Sequence, residues 1–353
     1  MFFLNVVLTI VTFIAYSLPF LAPKAFPFLS VFSLGLPFLL FLNFFFFVYW
    51  LLQLKRYMLL SGLVLLLGIT FINRFYKFSE TNLPKETTDF TLMSYNVRLF
   101  NLYEWLPKDD VPQQISKLIQ DKKPDILCLQ EFSPNELVSK SINFKYNYTK
   151  LYGGKNKYGQ AIYSNYKIID KGEIEFPNSS NNVIFADIVK EKDTIRIYSM
   201  HLQSIKISTD IHENIDEQKS KFIFKRLSEA FTIQQQQAEL IKSHYETCKY
   251  AKIICGDLNN SAFSYVYRTI KGDMKDAFEE AGVGFGKSYN YKYYPARIDY
   301  IFVEDQIKVK QFKIIIYMFF IKVVFYTVIN RLCLVYCQQS KMKKSIFLLL
   351  QSK

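Results

Sequence analysis

Three long uncharged runs dominate the N-terminal part of the chain. Residues 1–23, 25–54 and 57–73 contain no Lys, Arg, Asp or Glu. The hydrocarbon core of a bilayer is crossed by about 20 apolar residues in a helix, with a range of about 17–25, so each run is long enough to span it. We therefore predict three transmembrane helices, near residues 1–22, 28–51 and 57–74. A cleavable signal peptide does not explain the first run, because no basic segment precedes it and two more apolar runs follow.

The basic residues between these runs predict an orientation. Lys55 and Arg56 lie in the short connection between the second and third runs, whereas the first connection contains only Lys24. The positive-inside rule places the more basic short loop in the cytoplasm. We therefore expect a multi-pass membrane protein, with the bilayer as a partner and the soluble domain outside the cytoplasm. Arg74 and Lys77, after the third run, favour the opposite orientation.

The charge of the chain does not indicate a polyanion partner. The net charge is +13, but residues 1–79 and 306–353 contain basic residues and no acidic ones, and the remainder is close to neutral. A domain that is close to neutral gives no support for nucleic-acid binding by overall charge. The five cysteines form no CxxC pair, so a zinc site or a redox pair is not expected. No feature indicates a protein partner.

The segment AKIICGDLNN, residues 251–260, carries the first chemical signal. Its apolar run 253–255 stops at Gly256, as expected for a buried strand that opens into a loop. Asp257 and Asn259 follow two residues apart, so both side chains can project from the strand end to the same side. Such a pair can bind a phosphate, a metal-bound water or a divalent cation. The alternative is an Asp-x-Asn turn that caps the next helix.

Four other segments also place polar residues beside strand-like runs. Together with that segment, and in chain order, they are SYNVR (94–98), CLQEF (128–132), SMHLQS (199–204), CGDLNN (255–260) and RIDYIFV (297–303). In this order they resemble the endonuclease/exonuclease/phosphatase superfamily, over about residues 91–303. That superfamily includes deoxyribonucleases, abasic-site endonucleases, inositol-polyphosphate phosphatases and neutral sphingomyelinases, so the resemblance does not select a substrate.

The alternation of strand and helix patterns, with mainly antiparallel neighbouring strands, suggests an α/β sandwich. The resemblance implies four layers, two packed mixed sheets flanked by helices, here preceded by three transmembrane helices. Helical patterns cover 111–122, 213–245 and 276–281, and strand patterns cover 91–97, 125–130, 158–169, 182–200 and 308–314. We divide the chain into a membrane anchor (1–77), a polar linker (78–90), the family-like domain (91–313) and an atypical tail (314–353).

Two residues are the expected metal ligands. Cleavage of a phosphoester needs a cation that polarises the phosphoryl oxygen and a water that is oriented for attack. Glu131 directly follows a buried strand, and its carboxylate is a hard oxygen ligand suited to Mg²⁺ or Mn²⁺. The resemblance places Asn96 beside the metal, where its amide could also bind the substrate phosphate. The alternatives are an exposed strand-end glutamate and a turn-forming asparagine.

The resemblance assigns the other catalytic roles. It implies that His201 contacts the scissile phosphate, that Asp257 orients or deprotonates the attacking water, and that Asn259 holds the phosphate. Asp299 resembles the aspartate that orients a catalytic histidine. The alternatives are a core histidine for His201 and an ion pair with Arg297 for Asp299.

The end of the chain departs from the family pattern. The family ends with a Ser-Asp-His motif, but this chain has no histidine after His244 and no acidic residue after Asp305. The composition of the tail resembles the translation of an AT-rich gene in a shifted frame. The alternative is a fourth transmembrane helix over 314–337, which would bury Lys322 and Arg331 at about 2.5–3.5 kcal/mol each near the bilayer centre. We therefore expect a membrane-anchored phosphoesterase with severely weakened hydrolysis or, alternatively, an inactive scaffold that keeps the fold.

Overall fold

The computed structural model describes residues 1–104, 110–205, 216–291, 294–315 and 324–331. The first of these ranges begins with a bundle of apolar helices, and the rest forms an α/β domain. The bundle helices are α1 (Phe2–Ser17), α2 (Pro27–Val31), α3 (Leu36–Leu52), α4 (Met58–Leu67) and α5 (Ile69–Phe75).

Two segments of the bundle are long and apolar enough to cross a membrane. They are Phe2–Phe20, with 19 residues, and Pro27–Leu52, with 26. A third span results only if α4 and α5 are counted as one helix, although they are bent by 63° relative to each other. The described part of the chain therefore has two such helices, or three with the bent pair, where the sequence predicted three.

Gly68 lies at the bend between α4 and α5, in close contact with Tyr16 of α1. A Cβ atom at this position would lie 2.1 Å from the Tyr16 hydroxyl oxygen. That hydroxyl donates a hydrogen bond of 2.8 Å to the Val64 carbonyl at the end of α4. The bend was not predicted, because Gly68 lies inside an uninterrupted apolar run and a single glycine does not end a helix.

Buried polar side chains join the bundle helices. Asn5 of α1 donates to the Ser61 hydroxyl of α4 at 2.7 Å, and the Trp50 indole of α3 donates to the Asn5 amide oxygen at 3.0 Å. Interhelical hydrogen bonds and close packing of this kind hold helices together, also where lipid removes the hydrophobic drive for association.

Fourteen strands can be assigned in the described residues. In chain order they are β1 (Phe90–Asn96), β2 (Ile126–Phe132), β3 (Tyr146–Tyr152), β4 (Tyr158–Ser164), β5 (Lys167–Glu175), β6 (Asn182–Lys190), β7 (Asp193–His201), β8 (Ala251–Asp257), β9 (Lys275–Asp276), β10 (Tyr289–Tyr291), β11 (Tyr294–Ala296), β12 (Asp299–Val303), β13 (Ile307–Ile315) and β14 (Val324–Arg331). One sheet has the order β13-β14-β1-β2-β4-β3 and the other β5-β6-β7-β8-β12-β9, while β10 and β11 pair separately.

The two large sheets pack face to face and carry helices on their outer faces. Leu92 and Cys128 of the first sheet share one buried core with Ile197 and Ile253 of the second. The outer faces are covered by helices α6 (Val111–Lys122), α7 (Glu136–Ser141), α8 (Glu217–Glu246) and α9 (Tyr265–Lys271). Helix α10 (Ala277–Ala281) instead packs with the core that the two sheets share. Central strands are thus buried on both faces, which explains their continuous apolar runs. The predicted four-layer α/β sandwich is confirmed.

Most predicted elements agree with these bounds. Helix α6 covers the predicted residues, and the turn near 190–193 joins β6 to β7. Helix α8 begins at Glu217, and residues 213–215 of its predicted start lie outside the described residues. These helices and strands were predictable because each has a clear apolar period.

The first sheet extends past residue 313, where the sequence analysis ended the domain. Strand β14 lies between β13 and β1 and is antiparallel to both. Residues 324–331 therefore form a strand and not part of the membrane helix considered as an alternative for 314–337. Two β-branched valines within the segment VFYTVINR favour this extended conformation.

The linker packs along the domain. The Lys77 backbone pairs with Gly284 near the bundle. The Leu83 backbone N–H donates to the Lys310 carbonyl at 3.1 Å, and Lys85 forms an ion pair with Asp125 at 3.3 Å. The linker therefore runs from the bundle to the opposite end of the sheets, where β1 begins.

Candidate active site

The polar residues singled out in the sequence meet at one edge of the two sheets. Asn96 ends β1, Glu131 lies near the end of β2, and His201 and Asp257 end the paired parallel strands β7 and β8. Strand β12 is antiparallel to β8, so its first residue, Asp299, lies opposite Asp257 at the same edge. Because the two sheets pack face to face, this common edge brings residues of both sheets together.

Asn96 bridges two carboxylates that come from different sheets. Its side-chain nitrogen donates to Glu131 Oε1 at 2.8 Å and to Asp257 Oδ2 at 2.9 Å. Its side-chain oxygen accepts from the Arg98 backbone N–H at 3.1 Å. The amide group of Asn96, which is fully buried, therefore fixes the separation of the two acids.

Glu131, His201 and Asp257 form a candidate metal-binding group. One potential ligand atom from each lies within 4.8 Å of the others, and His201 Nε2 is 3.5 Å from Glu131 Oε1. Two carboxylates are hard oxygen donors that suit Mg²⁺ or Mn²⁺, whereas an imidazole nitrogen suits softer metals such as Zn²⁺. The Glu131 side chain is 28% exposed, so an ion can reach it from solvent. The donor set therefore fits a divalent cation.

A break in the strand geometry directs Glu131 into this site. The pairing of β2 with β4 shifts register between Leu129 and Phe132, and Glu131 has a φ of +46°. Positive φ is unusual for a residue with a side chain and costs on the order of 1–3 kcal/mol. Such bulges redirect side chains and are common beside active sites. The sequence predicted Glu131 at a strand end but gave no sign of the bulge.

Gly256 allows strands β7 and β8 to approach closely beside the site. Its φ is +128°, and a Cβ there would lie 2.1 Å from the Met200 carbonyl oxygen. Only glycine fits this position without displacing the backbone. The glycine therefore maintains the register that puts His201 next to Asp257.

Asp257 and Asn259 form both a tight turn and part of the site. Asp257 Oδ1 accepts from the Asn259 backbone N–H at 3.0 Å, and Asn259 Nδ2 donates to the Leu202 carbonyl at 2.9 Å. The cap of the next helix is a different residue, because the Ser264 side chain accepts from the Tyr267 N–H at the start of α9. The turn considered as an alternative is present, but it holds Asp257 in the site and does not cap the helix.

Asn181, which the sequence analysis missed, fixes the ring of His201. Its side-chain nitrogen lies 3.1 Å from the Leu202 carbonyl and 3.1 Å from His201 Nδ1. The carbonyl can only accept, which identifies this atom as the NH₂ group and makes it a donor to Nδ1 as well. In the neutral imidazole the proton is therefore on Nε2, which faces Glu131. In this tautomer neither ring nitrogen has a lone pair available for a metal, so the carboxylates of Glu131 and Asp257 are the donors that would hold a cation.

Asp299 is buried and differs from the other acids of the site. Burial raises its pKa to about 8, and the negative charge of Glu131 adds to this, while a hydrogen bond with Ser288 acts in the opposite direction. Its Oδ2 atom has no hydrogen-bond partner among the residues that the structure describes. Arg297 does not pair with it, because Arg297 is bonded to Asp276 Oδ2 at 2.6 Å. The ion pair considered as the alternative for Asp299 is therefore not formed.

Glutamines of α8, also missed, hold the two loops that carry the site. Gln234 Nε2 donates to the Gln203 carbonyl at 2.6 Å and to the Asn259 carbonyl at 3.2 Å. Gln234 Oε1 accepts from Asn260 Nδ2 at 2.7 Å, and Gln237 Oε1 accepts from the Gln203 N–H at 2.8 Å. The available signal was their spacing, since 234 and 237 lie on the helix face that also buries Ala238 and Ile241.

A buried polar chain below the site connects the two sheets. Gln130 Nε2 donates to the Ser199 hydroxyl at 2.9 Å, and that hydroxyl donates to Gln160 Oε1 at 2.8 Å. Gln160 Nε2 then donates to the Asn182 carbonyl at 2.7 Å. Buried networks of this kind restrict a core to one arrangement, so the floor of the site is rigid.

Family comparisons agree with this arrangement. The Endonuclease/Exonuclease/phosphatase family matches residues 93–316, more than half of the chain. A second match, to Domain of unknown function (DUF8431), covers residues 1–75, which form the helical bundle. No curated protein sequence matches this chain.

Solved structures share the fold at low sequence identity. The endonuclease/exonuclease/phosphatase from Beutenbergia cavernae DSM 12333 has a TM-score of 0.52 and 13% identity, and the match covers 69% of this chain and 72% of that one. A family protein from Bacteroides thetaiotaomicron has a TM-score of 0.50 and 16% identity, covering 69% and 99%. D. rerio TDP2 complexed with a single-strand DNA product has a TM-score of 0.50 and 15% identity, also covering 69% and 99%.

The region matched by the family contains Asn96, Glu131, His201, Asp257 and Asp299, all of which lie at one edge of the sandwich. With the matching fold, this shows that the chain belongs to the endonuclease/exonuclease/phosphatase family.

Proposed function

We propose that this chain is a membrane-anchored phosphoesterase that depends on Mg²⁺ or Mn²⁺ and uses water to cleave a phosphodiester or phosphomonoester. The observation that carries the proposal is the group of Glu131, His201 and Asp257, whose ligand atoms lie within 4.8 Å of one another. Asn96 holds both acids of this group in place. Members of the family depend on divalent metals, and this donor set suits such an ion.

Each residue then has a chemical role. Glu131, with help from Asn96, would hold the cation, and a bound ion would supply positive charge that polarises the phosphoryl oxygen. Asp257 accepts a hydrogen bond from the attacking water and takes its proton as the new bond to phosphorus forms and the bond from phosphorus to the leaving oxygen breaks. His201 and Asn259 donate to the phosphate oxygens, using the Nε2 proton of the histidine and the second amide hydrogen of the asparagine.

The surroundings of Asp299 indicate that hydrolysis is slow. Its family role is to orient a histidine of a terminal Ser-Asp-His motif, and this sequence has no histidine after His244. Without a group that protonates the leaving oxygen, the rate falls typically by about 10²–10⁴-fold. We therefore propose slow hydrolysis compared with a typical enzyme turnover of about 10 s⁻¹.

The substrate is proposed as a phosphate ester that is either lipid-like or small and soluble. The family-like domain is close to electrically neutral, and the chain begins with apolar helices that could cross a membrane. Both features favour such substrates over a nucleic acid, although the structural relative TDP2 is complexed with a DNA product.

The proposed organisation has four parts. Residues 1–77 form the anchor, 78–90 the linker and 91–313 the family-like domain, whose first sheet also includes β14 from within the atypical tail 314–353. For the tail we keep the proposal of a shifted reading frame. Resequencing the gene in independent isolates tests it, because a single uninterrupted frame in all of them would rule the shift out.

We propose that the domain lies outside the cytoplasm. Lys55 and Arg56 are in the short loop between α3 and α4, which the positive-inside rule places in the cytoplasm, and α4 and α5 together separate this loop from the domain. A fusion of residues 1–85 to a reporter that fluoresces only in the cytoplasm should be dark. A bright fusion reverses the orientation and leaves the enzyme proposal unchanged.

An assay of hydrolysis tests the function. The purified full chain should hydrolyse bis(4-nitrophenyl) phosphate or 4-nitrophenyl phosphate slowly with Mg²⁺ or Mn²⁺ and not with EDTA. Glu131→Gln should abolish this rate, whereas Glu136→Gln, on the exposed surface of α7, should match the unmodified protein. Hydrolysis that is unaffected by EDTA would contradict the proposal.

A second candidate function is an inactive scaffold that binds a cation. The unsatisfied oxygen of Asp299 and the missing terminal motif favour it. It predicts metal binding that depends on Glu131 but no hydrolysis of either ester, so the same assay combined with a metal titration separates the two functions.

A further inference from the structure

One of the helices that could cross a membrane is longer than the bilayer core. The segment Pro27–Leu52 has 26 residues. At about 1.5 Å per residue such a helix is roughly 39 Å long, whereas the hydrocarbon core is about 30 Å thick. If Leu52 lies at one boundary, next to Lys55 and Arg56, about 20 residues reach the other boundary near residue 33. Residues 27–32 then lie among the lipid headgroups.

The domain contacts this same stretch. On α8, the Phe224 ring stacks on Phe28 with centroids 6.0 Å apart and contacts Phe32 at 5.6 Å. Two turns further along, Phe231 is buried against Val31. The first half of α8 therefore lies at the level of the headgroups.

Around this contact, aromatic rings remain exposed. Phe28 is 64% exposed, Phe32 57% and Phe222 46%. The guanidinium of Arg226 lies 5.3 Å from the centroid of the Phe222 ring. Exposed aromatic side chains next to basic ones are typical of surfaces that lie in the membrane interface.

A second element shows the same pairing independently. Phe20, at the end of the first apolar segment, is 59% exposed. Arg268 of α9 lies 4.3 Å from the centroid of its ring. Two separate helices of the domain thus place an arginine on an exposed phenylalanine, α8 on its own Phe222 and α9 on Phe20 of the bundle.

The charge of α8 indicates which headgroups would fit. Residues 217–229 contain four basic and two acidic side chains. Lys221 pairs with Glu217 at 2.6 Å and Lys225 with Glu229 at 3.9 Å, but all four are more than half exposed, where such pairs contribute little. The excess positive charge favours anionic lipids.

We propose that the first half of α8, together with Phe20, Phe28, Phe32 and Arg268, forms a surface that binds anionic lipid headgroups of the membrane in which the bundle is anchored. We call it the α8 lipid surface, and it rests on the proposed membrane anchor. It lies close to the active site, because Ile205 packs against the Phe231 cluster and is four residues from His201. Four residues span at most about 14 Å.

Spin labels test this surface in the full chain, reconstituted in nanodiscs of phosphatidylcholine with or without phosphatidylglycerol. Cys248, Cys333 and Cys337 are first replaced by serine, so that the label reacts at one chosen position. Cys128 and Cys255 are buried and stay in place. A nitroxide is then attached at Phe222→Cys, with Ile169→Cys and Phe44→Cys as separate controls. Ile169 is 48% exposed at the opposite end of the sheets, and Phe44 is 49% exposed on α3.

Collisions with oxygen relative to a water-soluble nickel chelate report lipid contact. The label at 222 should show more lipid contact with phosphatidylglycerol present, by about fivefold for each basic residue that engages the surface. Replacing Lys219 and Arg226 by glutamine should remove that dependence, while the label at 169 stays aqueous in both discs.

Two results at position 222 overturn the proposal: aqueous behaviour in both discs, or equal lipid contact in both. The label at 44 separates this failure from that of the anchor. Lipid contact at 44 with aqueous behaviour at 222 refutes the α8 lipid surface alone, whereas aqueous behaviour at 44 refutes the membrane anchor and the surface with it.

Discussion

Asp257 and Asp299 lie opposite each other on neighbouring strands, but their surroundings differ. Both oxygens of Asp257 accept hydrogen bonds, one from Asn96 and one from the Asn259 backbone. Asp299 keeps one buried oxygen without a partner among the described residues, and burial raises its pKa to about 8. One side of the site thus has a carboxyl group with both oxygens hydrogen-bonded, whereas the other has a buried carboxyl group with one oxygen left unpaired among the described residues.

The largest expected effect separates the two aspartates in catalysis. Asp257→Asn should lower the hydrolysis rate by about 10²–10⁴-fold, because it removes the group that takes the proton of the water. Asp299→Asn should leave the rate nearly unchanged, because no histidine follows His244 to be oriented. Initial rates on bis(4-nitrophenyl) phosphate measure both. An equal loss of rate in the two variants would contradict this difference and would mean that Asp299 takes part directly in hydrolysis.

A second comparison contrasts Asp299 with Asp276, which is also buried but paired. Asp276 binds the buried Arg297 at 2.6 Å, and Arg297 in turn donates to the Arg74 carbonyl of α5 at 3.0 Å. Asp276→Asn should therefore lower the free energy of unfolding by about 3–5 kcal/mol, because it leaves a buried guanidinium without its counter-charge. Thermal unfolding in detergent measures this. Unchanged stability would mean that the pair is not formed in solution.

The raised pKa of Asp299 predicts that the free energy of unfolding depends on pH. An unfolded aspartate has a pKa of about 3.9, and the folded value is raised, so folding takes up a proton. The stabilising contribution is complete below about pH 4 and is lost as the pH rises towards 8, at about 1.4 kcal/mol per pH unit. Asp299→Asn should be more stable than the unmodified protein at pH 7.5, by a margin that shrinks at pH 5.

Asp273→Asn is the matched control for that experiment, because Asp273 is exposed. It should follow the unmodified protein at both pH values. If Asp299→Asn also follows it, then Asp299 is charged in the folded state and has a partner after all.

The smallest expected effect concerns the support of the organised side. Gln234→Leu removes the hydrogen bonds to the Gln203 and Asn259 loops and should cost about 1–3 kcal/mol of stability. Gln236 lies on the exposed face of the same helix, so Gln236→Leu should change stability by less than about 0.5 kcal/mol. Unfolding midpoints of the two variants measure this difference. Equal midpoints would show that Gln234 does not stabilise the two loops.

The sequence was most informative where the chain has a period or a chain-local motif. The apolar spacing in 111–122 predicted α6, and the apolar run before Gly256 predicted a strand that ends at Asp257. The five motifs predicted that Asn96, Glu131 and His201 belong to one site, and the structure brings them to the same edge. Their assignment to catalysis stays a prediction.

The features that were missed depend on contacts between distant residues. The bulge at Glu131 arises from pairing with β4, and the role of Asn181 requires the loop before β6 to lie on β7. The bend at Gly68 depends on the approach of Tyr16 from another helix. None of these contacts leaves a pattern within its own segment, so periodicity could not indicate them.

A calorimetric titration of Mn²⁺ into the full chain, Glu131→Gln and Asp299→Asn tests the proposed metal site most directly. Asp299→Asn should bind with nearly the affinity of the unmodified chain, because Asp299 is outside the candidate metal-binding group of Glu131, His201 and Asp257. Glu131→Gln should bind at least about tenfold more weakly, a loss of about 1.4 kcal/mol. Equal affinity for Glu131→Gln and the unmodified chain would contradict the metal site, and with it the proposed division between the two sides.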